Sequence, residues 1–344
     1  MLPSIEWKDG KVVMIDQRKL PREEVYVECT AYEEIAEAVE KMVIRGAPAI
    51  GVAAAFGVAL GLLRLESGEE TEEKLEKIIG RFKKTRPTAR NLFWALERMK
   101  EVFETNRHLS LARLKEKMVE EALALEKEDV EVNKKIGYFG KDLLKDGHSV
   151  LTYCNTGSLA TAGFGTALGV IRAAVKERKR IKVYASETRP FLQGARLTCW
   201  ELTRDGIPAV LITDNAAGFL MQRGEVSLVI TGADRVARNG DTANKIGTYS
   251  LAVLARECGV PFYIASPLSS VDFSLRSGQQ IPVEERNPDE VKKIAGKCLT
   301  LPEVEVFNPS FDITPARYIS AIITEHGFAR PPFEKSLSRL RDRI

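Results

Sequence analysis

Histidine and cysteine are scarce in this chain of 344 residues, and where they occur they stand apart. The three histidines, His108, His148 and His326, have no partner at ligand spacing, so they build no metal site and suit helix ends or loops. The five cysteines, Cys29, Cys154, Cys199, Cys258 and Cys298, are odd in number and never form a CxxC pair. That pattern excludes a disulfide framework and structural zinc, and fits a reducing compartment. Cys199, Cys258 and Cys298 are expected to be small buried hydrophobes. Missing too is any apolar run of membrane-spanning length, and the opening MLPSIEWKDG lacks the basic-then-apolar order of a secretory leader. A cytoplasmic protein is expected. The 51 basic and 48 acidic residues nearly cancel, and stretches such as EETEEKLEKIIGRFKKT mix both signs as solvated helix faces do. Nothing in this balance calls for nucleic acid or a membrane, and the chain has neither an internal repeat nor a low-complexity segment.

What is present changes pattern once along the chain, whose length suits two domains. SIEWKDGKVVMID reads as two short strands around an Asp9-Gly10 turn, with another short strand at Val25 to Val27. From Thr30 the residues Ile35, Val39, Met42 and Val43 follow helical spacing, with Thr30 and Glu33 as a capping box. Helices continue to about Lys145, among them PAIGVAAAFGVALGLL, which is apolar on every side and so belongs in a core. Beyond His148, strands near 149–154, 182–187, 208–213, 227–233 and 261–266 alternate with helices, the order of a parallel, doubly wound sheet. The predicted fold class is α/β: a Rossmann-like doubly wound parallel sheet domain over 147–344, preceded over 1–146 by a mainly helical domain with a small antiparallel sheet. ITPARYISAIITEHG is expected to form a last helix with Pro315 in its first turn, and EKSLSRLRDRI a charged tail.

Two of the predicted strands end on reactive groups. SVLTYCN delivers Cys154 and Asn155, and SLVITGAD delivers Asp234 with Arg235 behind it, at the carboxyl ends of strands where open parallel sheets bind ligands. Glu187 and Asp214 end two further strands at the same rim, although each serves equally well as a turn or N-cap residue. Asp234 follows a largely apolar run, so desolvation would raise its carboxyl towards neutrality, as a general acid needs. Cys154 precedes NTGSLATAGFG, whose backbone N–H groups can hold an anion and lower a thiol pKa. Phosphate is the anion expected. In VIRGAPAIG, Arg45 and Gly46 lead into a helix start; TRPTARN places Arg86, and SETRPFLQGAR places Arg189 and Gln193, in the same manner. GDTANKIGT sets Asn244 and Lys245 before a helix, an amide and a cation suited to a sugar phosphate. The glycines of GFGTALG imitate a dinucleotide fingerprint but begin too far after their strand, and close helix packing explains them better. No cofactor and no metal are called for.

Together, RGAPAIGVAAAFG, RPTARNLFWAL, YCNTGSLATAGFGTALGVI, ETRPFLQGARLT, GADRVARNGDTANKIGTYSLA and IPVEERNPDEV closely resemble the methylthioribose-1-phosphate isomerase family of methionine salvage, from about Ile5 to Phe328. The wider superfamily holds ribose-1,5-bisphosphate isomerases and the regulatory alpha, beta and delta subunits of the translation initiation nucleotide-exchange factor, which generally lack the RPTA segment. The resemblance implies a homodimeric aldose-ketose isomerase of a small sugar phosphate. It implies Asp234, the aspartate of GADR, as the acid, and Cys154, the cysteine of CNTG, as its assistant at the transition state. Substrate contacts would come from Arg45, Gly46, Ala47, Arg86, Gln193, Asn244 and Lys245. Two positions depart from the pattern: Tyr153 stands where the family often has His, and Ser186 where it often has Asp. The alternatives are an isomerase of ribose 1,5-bisphosphate or 5-deoxyribose 1-phosphate, and a non-catalytic exchange-factor-like subunit. Retention of Cys154, Asp234 and RPTA together speaks against the last.

Overall fold

The computed structural model describes residues 3–66, 70–294 and 296–342. Met1 and Leu2 of the opening segment, Glu69 of the first charged stretch and the last two residues of the tail lie outside them. The chain begins with an antiparallel sheet of β1 (Ile5–Lys8), β2 (Lys11–Ile15) and β3 (Tyr26–Cys29), with Ile5 opposite Met14 and Val12 opposite Cys29. Asp9 and Gly10 both take positive φ, 50° and 73°, as a two-residue hairpin turn requires. Helix α1 (Tyr32–Glu40) starts later than the expected capping box placed it. Glu34, not Glu33, turns back to accept the N–H groups of Thr30 at 2.6 Å and Ala31 at 3.1 Å.

Helix α2 (Ala47–Leu63) is buried from Ala47 to Leu62, and α1, α3 (Thr71–Lys83), α4 (Arg90–Asn106) and α5 (Leu111–Gly140) pack around it. A helix with no polar face has no side to give to solvent, so it becomes the axis of this half of the molecule. Its glycines let neighbours approach: a Cβ at Gly57 would lie 2.2 Å from the Phe82 ring. The long α5 gives Leu114, Met118, Ala122 and Leu125 to this core and Ile136 to the core under the next sheet.

From β4 (Ser149–Thr152) the chain runs through α6 (Ala167–Lys176), β5 (Lys182–Ser186), α7 (Cys199–Arg204), β6 (Ala209–Ile212), α8 (Ala216–Gln222) and β7 (Leu228–Thr231). A hairpin of β8 (Arg235–Ala237) and β9 (Thr242–Lys245) then precedes α9 (Thr248–Glu257) and β10 (Phe262–Ala265). The resulting seven-stranded sheet has the order 327–329, 321–324, β10, β7, β4, β5, β6, and only its first pair is antiparallel. β5 and β6 lie on one side of β4, β7 and β10 on the other. The chain therefore reverses its direction of winding between β4 and β7, and the loops leaving their carboxyl ends part to leave a crevice.

Three expectations are corrected. ITPARYISAIITEHG does not form a last helix: Ala316–Tyr318 makes one tight turn, and Ala321–Thr324 becomes a fully buried strand parallel to β10, followed by a turn at Gly327 with φ 112°. A β-branched run beside an open sheet edge gains more by completing the ladder than its helical spacing suggests. The charged tail is not featureless either, since Phe333–Arg341 is a helix that buries Phe333, Leu337 and Leu340 on one face. Among the cysteines, Cys298 is exposed on a short surface strand, and Cys199 and Cys258 are only partly buried. No helix among the described residues is long and apolar enough to cross a membrane.

Candidate active site

Arg45, Gly46, Ala47, Arg86, Cys154, Gln193, Asp234, Asn244 and Lys245 all line one small crevice at the ends of β4 and β7. Six separate segments deliver them. Gly46 and Ala47 form the amino-terminal end of α2, Arg86 sits in the α3–α4 connection, and Cys154 follows β4. Gln193 lies beyond β5, Asp234 beyond β7, and Asn244 and Lys245 on β9. Of the four ionisable groups expected at this rim, only Cys154 and Asp234 face the crevice. Asp214 instead accepts from Ser186 Oγ at 2.7 Å and from the N–H groups of Thr188 at 2.8 Å and Arg189 at 2.7 Å. Glu187 does not line the crevice, and Arg189 spends its guanidinium on the carbonyls of Pro190 and Val291 at 2.8 and 3.0 Å. Arg235 reaches the Pro87 carbonyl at 3.3 Å and Asp272 at 3.8 Å, away from the site. Tyr153, the first departure from the family pattern, does not line the crevice and donates to the Ile246 carbonyl at 2.9 Å.

Cys154 stands in the left-handed region, φ 62°, a conformation that costs a non-glycine residue about 1–3 kcal/mol and persists only where the surroundings over-determine it. Two threonines do so here. Thr188 Oγ1 accepts the Cys154 N–H at 2.8 Å, and Thr198 Oγ1 donates to its carbonyl at 2.7 Å. Arg45 lies beside the sulfur, with Nη1 at 3.9 Å from Sγ, and is anchored by Gln17 Oε1 at 3.1 Å and the Asn155 carbonyl at 3.2 Å. Burial raises the thiol, while Arg45 and Lys245 oppose that rise without overcoming it. The lowered thiol expected from the small-residue loop is therefore not found. The N–H groups of Ser158 and Leu159 are already spent on the Glu201 carboxylate, at 2.7 and 3.3 Å.

Asp234 is fixed through its N–H, which donates to the Ala243 carbonyl at 2.9 Å. Burial raises its carboxyl, and Lys245, Arg86 and Arg45 counter this only in part, so the direction matches that inferred from the apolar strand before it. Burial also lowers the Lys245 ammonium, whose Nζ lies 4.7 Å from the Phe311 ring centroid. Arg86 contacts Met42 Sδ at 2.9 Å and Glu284 at 3.6 Å, and its Nε has no hydrogen-bond partner among the described residues. Gln193 is 1% exposed, yet among the described residues its Oε1 has no partner, nor does Thr156 Oγ1, which also lines the crevice. Unpaired buried polar groups are costly, and a polyhydroxylated ligand would satisfy them. With three cations and the end of α2 converging on one acid and one thiol, the crevice favours a compact anion. Sequence reasoning missed Met42, Thr156, Phe311 and Glu201; a lone glutamate inside a helix carries no local signal of what its carboxylate will meet.

Residues 43–331 match the model of IF-2B, the Initiation factor 2 subunit family. The methylthioribose-1-phosphate isomerase of Geobacter sulfurreducens is 57% identical over 326 residues, 94% of each chain, and that of Geotalea uraniireducens 55% identical over 339 residues, 98% of each. Among solved structures, the 5-methylthioribose 1-phosphate isomerase of Pyrococcus horikoshii superposes with a TM-score of 0.91 at 47% identity, covering 100% of this chain and 97% of that one. The delta subunit of translation initiation factor eIF-2B from A. fulgidus superposes with a TM-score of 0.87 at 44% identity, covering 99% and 100%. The chain belongs to the IF-2B, Initiation factor 2 subunit, family.

Proposed function

We propose that the protein is an aldose-ketose isomerase that converts 5-methylthio-D-ribose 1-phosphate into 5-methylthio-D-ribulose 1-phosphate in methionine salvage. The observation that carries this reading is that Asp234 and Cys154, delivered by neighbouring strands, face one crevice ringed by Arg45, Arg86 and Lys245. The isomerases similar to this chain along nearly its whole length support it. A phosphate on the anomeric oxygen prevents the ring from opening as a free sugar does. The bond from C1 to the ring oxygen must break with phosphate in place, and Asp234, whose carboxyl burial raises, gives its proton to the departing oxygen. The amino-terminal end of α2 with Arg45 and Arg86 holds the phosphate, while Gln193 and Asn244 take sugar hydroxyls.

Hydrogen then moves from C2 to C1 by one of two routes. In the first, Cys154 as thiolate removes the C2 proton to give an enol phosphate that is reprotonated at C1. In the second, hydride shifts directly and the Cys154 thiolate stabilises the cationic centre. Both end when the C2 hydroxyl proton leaves and the ketone forms.

The substrate is tested by offering the protein 5-methylthioribose 1-phosphate, ribose 1,5-bisphosphate and 5-deoxyribose 1-phosphate and following the ketose by NMR. The highest kcat/KM belongs to the first; a higher value for either other sugar overturns the substrate, and no turnover of any overturns the reaction. The chain is further read as a cytoplasmic homodimer divided into residues 1–146 and 147–344. An apolar core centred on each part supports the division, although α5 gives Ile136 to the second and Ala162 joins the first, and light scattering that returns a single-chain mass would reject the dimer.

A further inference from the structure

A buried carboxylate stands behind the thiol. Glu201, on α7, is 2% exposed, and its carboxylate meets only donors. Oε1 accepts from Asn155 Nδ2 at 2.8 Å and the Leu159 N–H at 3.3 Å. Oε2 accepts from the Ser158 N–H at 2.7 Å, Ser158 Oγ at 2.7 Å and Arg172 Nη2 at 2.8 Å. Burial alone would raise this carboxyl; Arg172 and the surrounding donors reverse that and hold it below its usual range, so it is an ionised acceptor. The loop after Cys154 wraps it closely, and a Cβ at Gly157 would lie 2.3 Å from its oxygen.

The influence of Glu201 on the site passes through Asn155, whose amide has one donating and one accepting end. Glu201 can only accept and takes Nδ2 at 2.8 Å, the shorter of its two bonds, with Thr198 Oγ1 accepting at 3.3 Å; Arg45 can only donate and takes Oδ1. Arg45, aimed in this way, lies 3.9 Å from Cys154 Sγ. The row Arg172, Glu201, Asn155, Arg45, Cys154 thus has a hydrogen-bond polarity set from its buried end. We propose that Glu201 is a positioning residue: by accepting from Asn155 it orients the Asn155 amide so that Arg45 is held against the Cys154 thiol. The inference rests on Cys154 being the working thiol of the isomerase.

Glu201→Gln replaces one acceptor oxygen by an NH₂ of the same size. Three donors, Arg172 among them, meet Oε2 and two meet Oε1, so the NH₂ settles on the Asn155 side. There it faces a donor, and the Asn155 amide turns over to present its own NH₂ to Arg45. The experiment follows alkylation of Cys154 by iodoacetamide against pH, resolved by peptide mass spectrometry, beside steady-state kinetics. In Glu201→Gln the alkylation midpoint moves up by about one pH unit, roughly tenfold less thiolate at fixed pH. Turnover falls by at least roughly tenfold with KM within about twofold, as loss of a transition-state interaction requires. Asn155→Leu breaks the same row while leaving Ser158 and Arg172 on Glu201, and it moves the midpoint in the same direction even where Glu201→Gln fails to fold. A folded variant with an unmoved midpoint and wild-type turnover, only less stable, overturns the proposal. Alkylation needs no substrate, so a wild-type protein inactive on all three sugar phosphates would overturn the isomerase reading while the midpoints still judge the role of Glu201.

Discussion

The guanidinium of Arg45 lies 3.9 Å from the sulfur of Cys154 across 109 residues of chain, joining the amino-terminal end of the helical core to the carboxyl end of β4. Neither group could be placed by the other's local sequence. The contact sets a positive charge against a buried thiol and beside a raised carboxyl, and the expected behaviour of the site follows from it.

Replacing Asp234 by Asn removes the proton given to the ring oxygen, and turnover falls by about 10²–10⁴-fold with little change in KM. Because burial raises this carboxyl and it must be protonated to act, kcat/KM of the wild type declines as pH rises through that raised pKa. A pH–rate profile shows this limb in the wild type and lacks it in the variant.

Cys154→Ser also cuts turnover severely. Burial raises the wild-type thiol, so the thiolate that either route uses is the minor form at neutral pH, and turnover rises with pH towards that raised pKa. Isomerisation in heavy water, read by NMR, separates the two routes: ketose without deuterium at C1 marks the direct hydride shift. Deuterium there would instead establish the enol phosphate route.

Arg86→Ala acts on binding. Loss of a charged hydrogen bond to phosphate is worth about 1.5–3 kcal/mol, so KM rises roughly 10- to 150-fold while turnover changes less. Competitive inhibition by inorganic phosphate should weaken in parallel, and an unchanged inhibition constant would move the phosphate elsewhere in the crevice.

Gly46→Ala tests the entrance to α2. Gly46 has φ 94°, and a Cβ there would lie 2.4 Å from the Ala160 carbonyl oxygen. Strain and overlap together destabilise the fold by at least about 2 kcal/mol, measured by urea unfolding, with loss of substrate binding in the protein that remains folded.

Asp129, on α5, has its carboxyl raised to about 7, chiefly by burial, while it accepts the Ala162 N–H at 2.7 Å. A folded-state pKa above the unfolded one gives stability that is full below about pH 4 and lost as pH rises through about 7. Asp129→Asn keeps an acceptor for Ala162 but does not titrate. Thermal melts from pH 5 to pH 8 should fall more steeply in the wild type than in the variant; parallel curves would assign the pH dependence to other groups.

Much of the frame was legible because it rests on local rules. The Asp9-Gly10 turn, the all-apolar α2 and the alternation from β4 to β10 follow from turn chemistry and periodicity. All nine candidate residues lie on one crevice because strand ends and helix starts are where a parallel sheet gathers its loops. Legibility failed where a distant partner decided the outcome. Ala321–Thr324 became a strand because β10 presented an open edge, and Phe333–Arg341 a helix because its apolar face met a core. The N–H groups after Cys154 do hold an anion, but it is the carboxylate of Glu201 from another element and not the expected phosphate.

By itself the amino-acid sequence determined which segments are helix or strand over most of the chain, the doubly wound parallel order of the second half, and which ionisable groups stand at its strand ends. Those properties depend on spacing and on groups close in the chain. Only the tertiary structure decided that the thiol is raised rather than lowered, that Arg189, Glu187 and Asp214 stand away from the crevice, and that Glu201 faces Arg45 through Asn155. Charge state and hydrogen-bond polarity depend on desolvation and on what each group meets in space, and the partners here come from elements far apart in sequence.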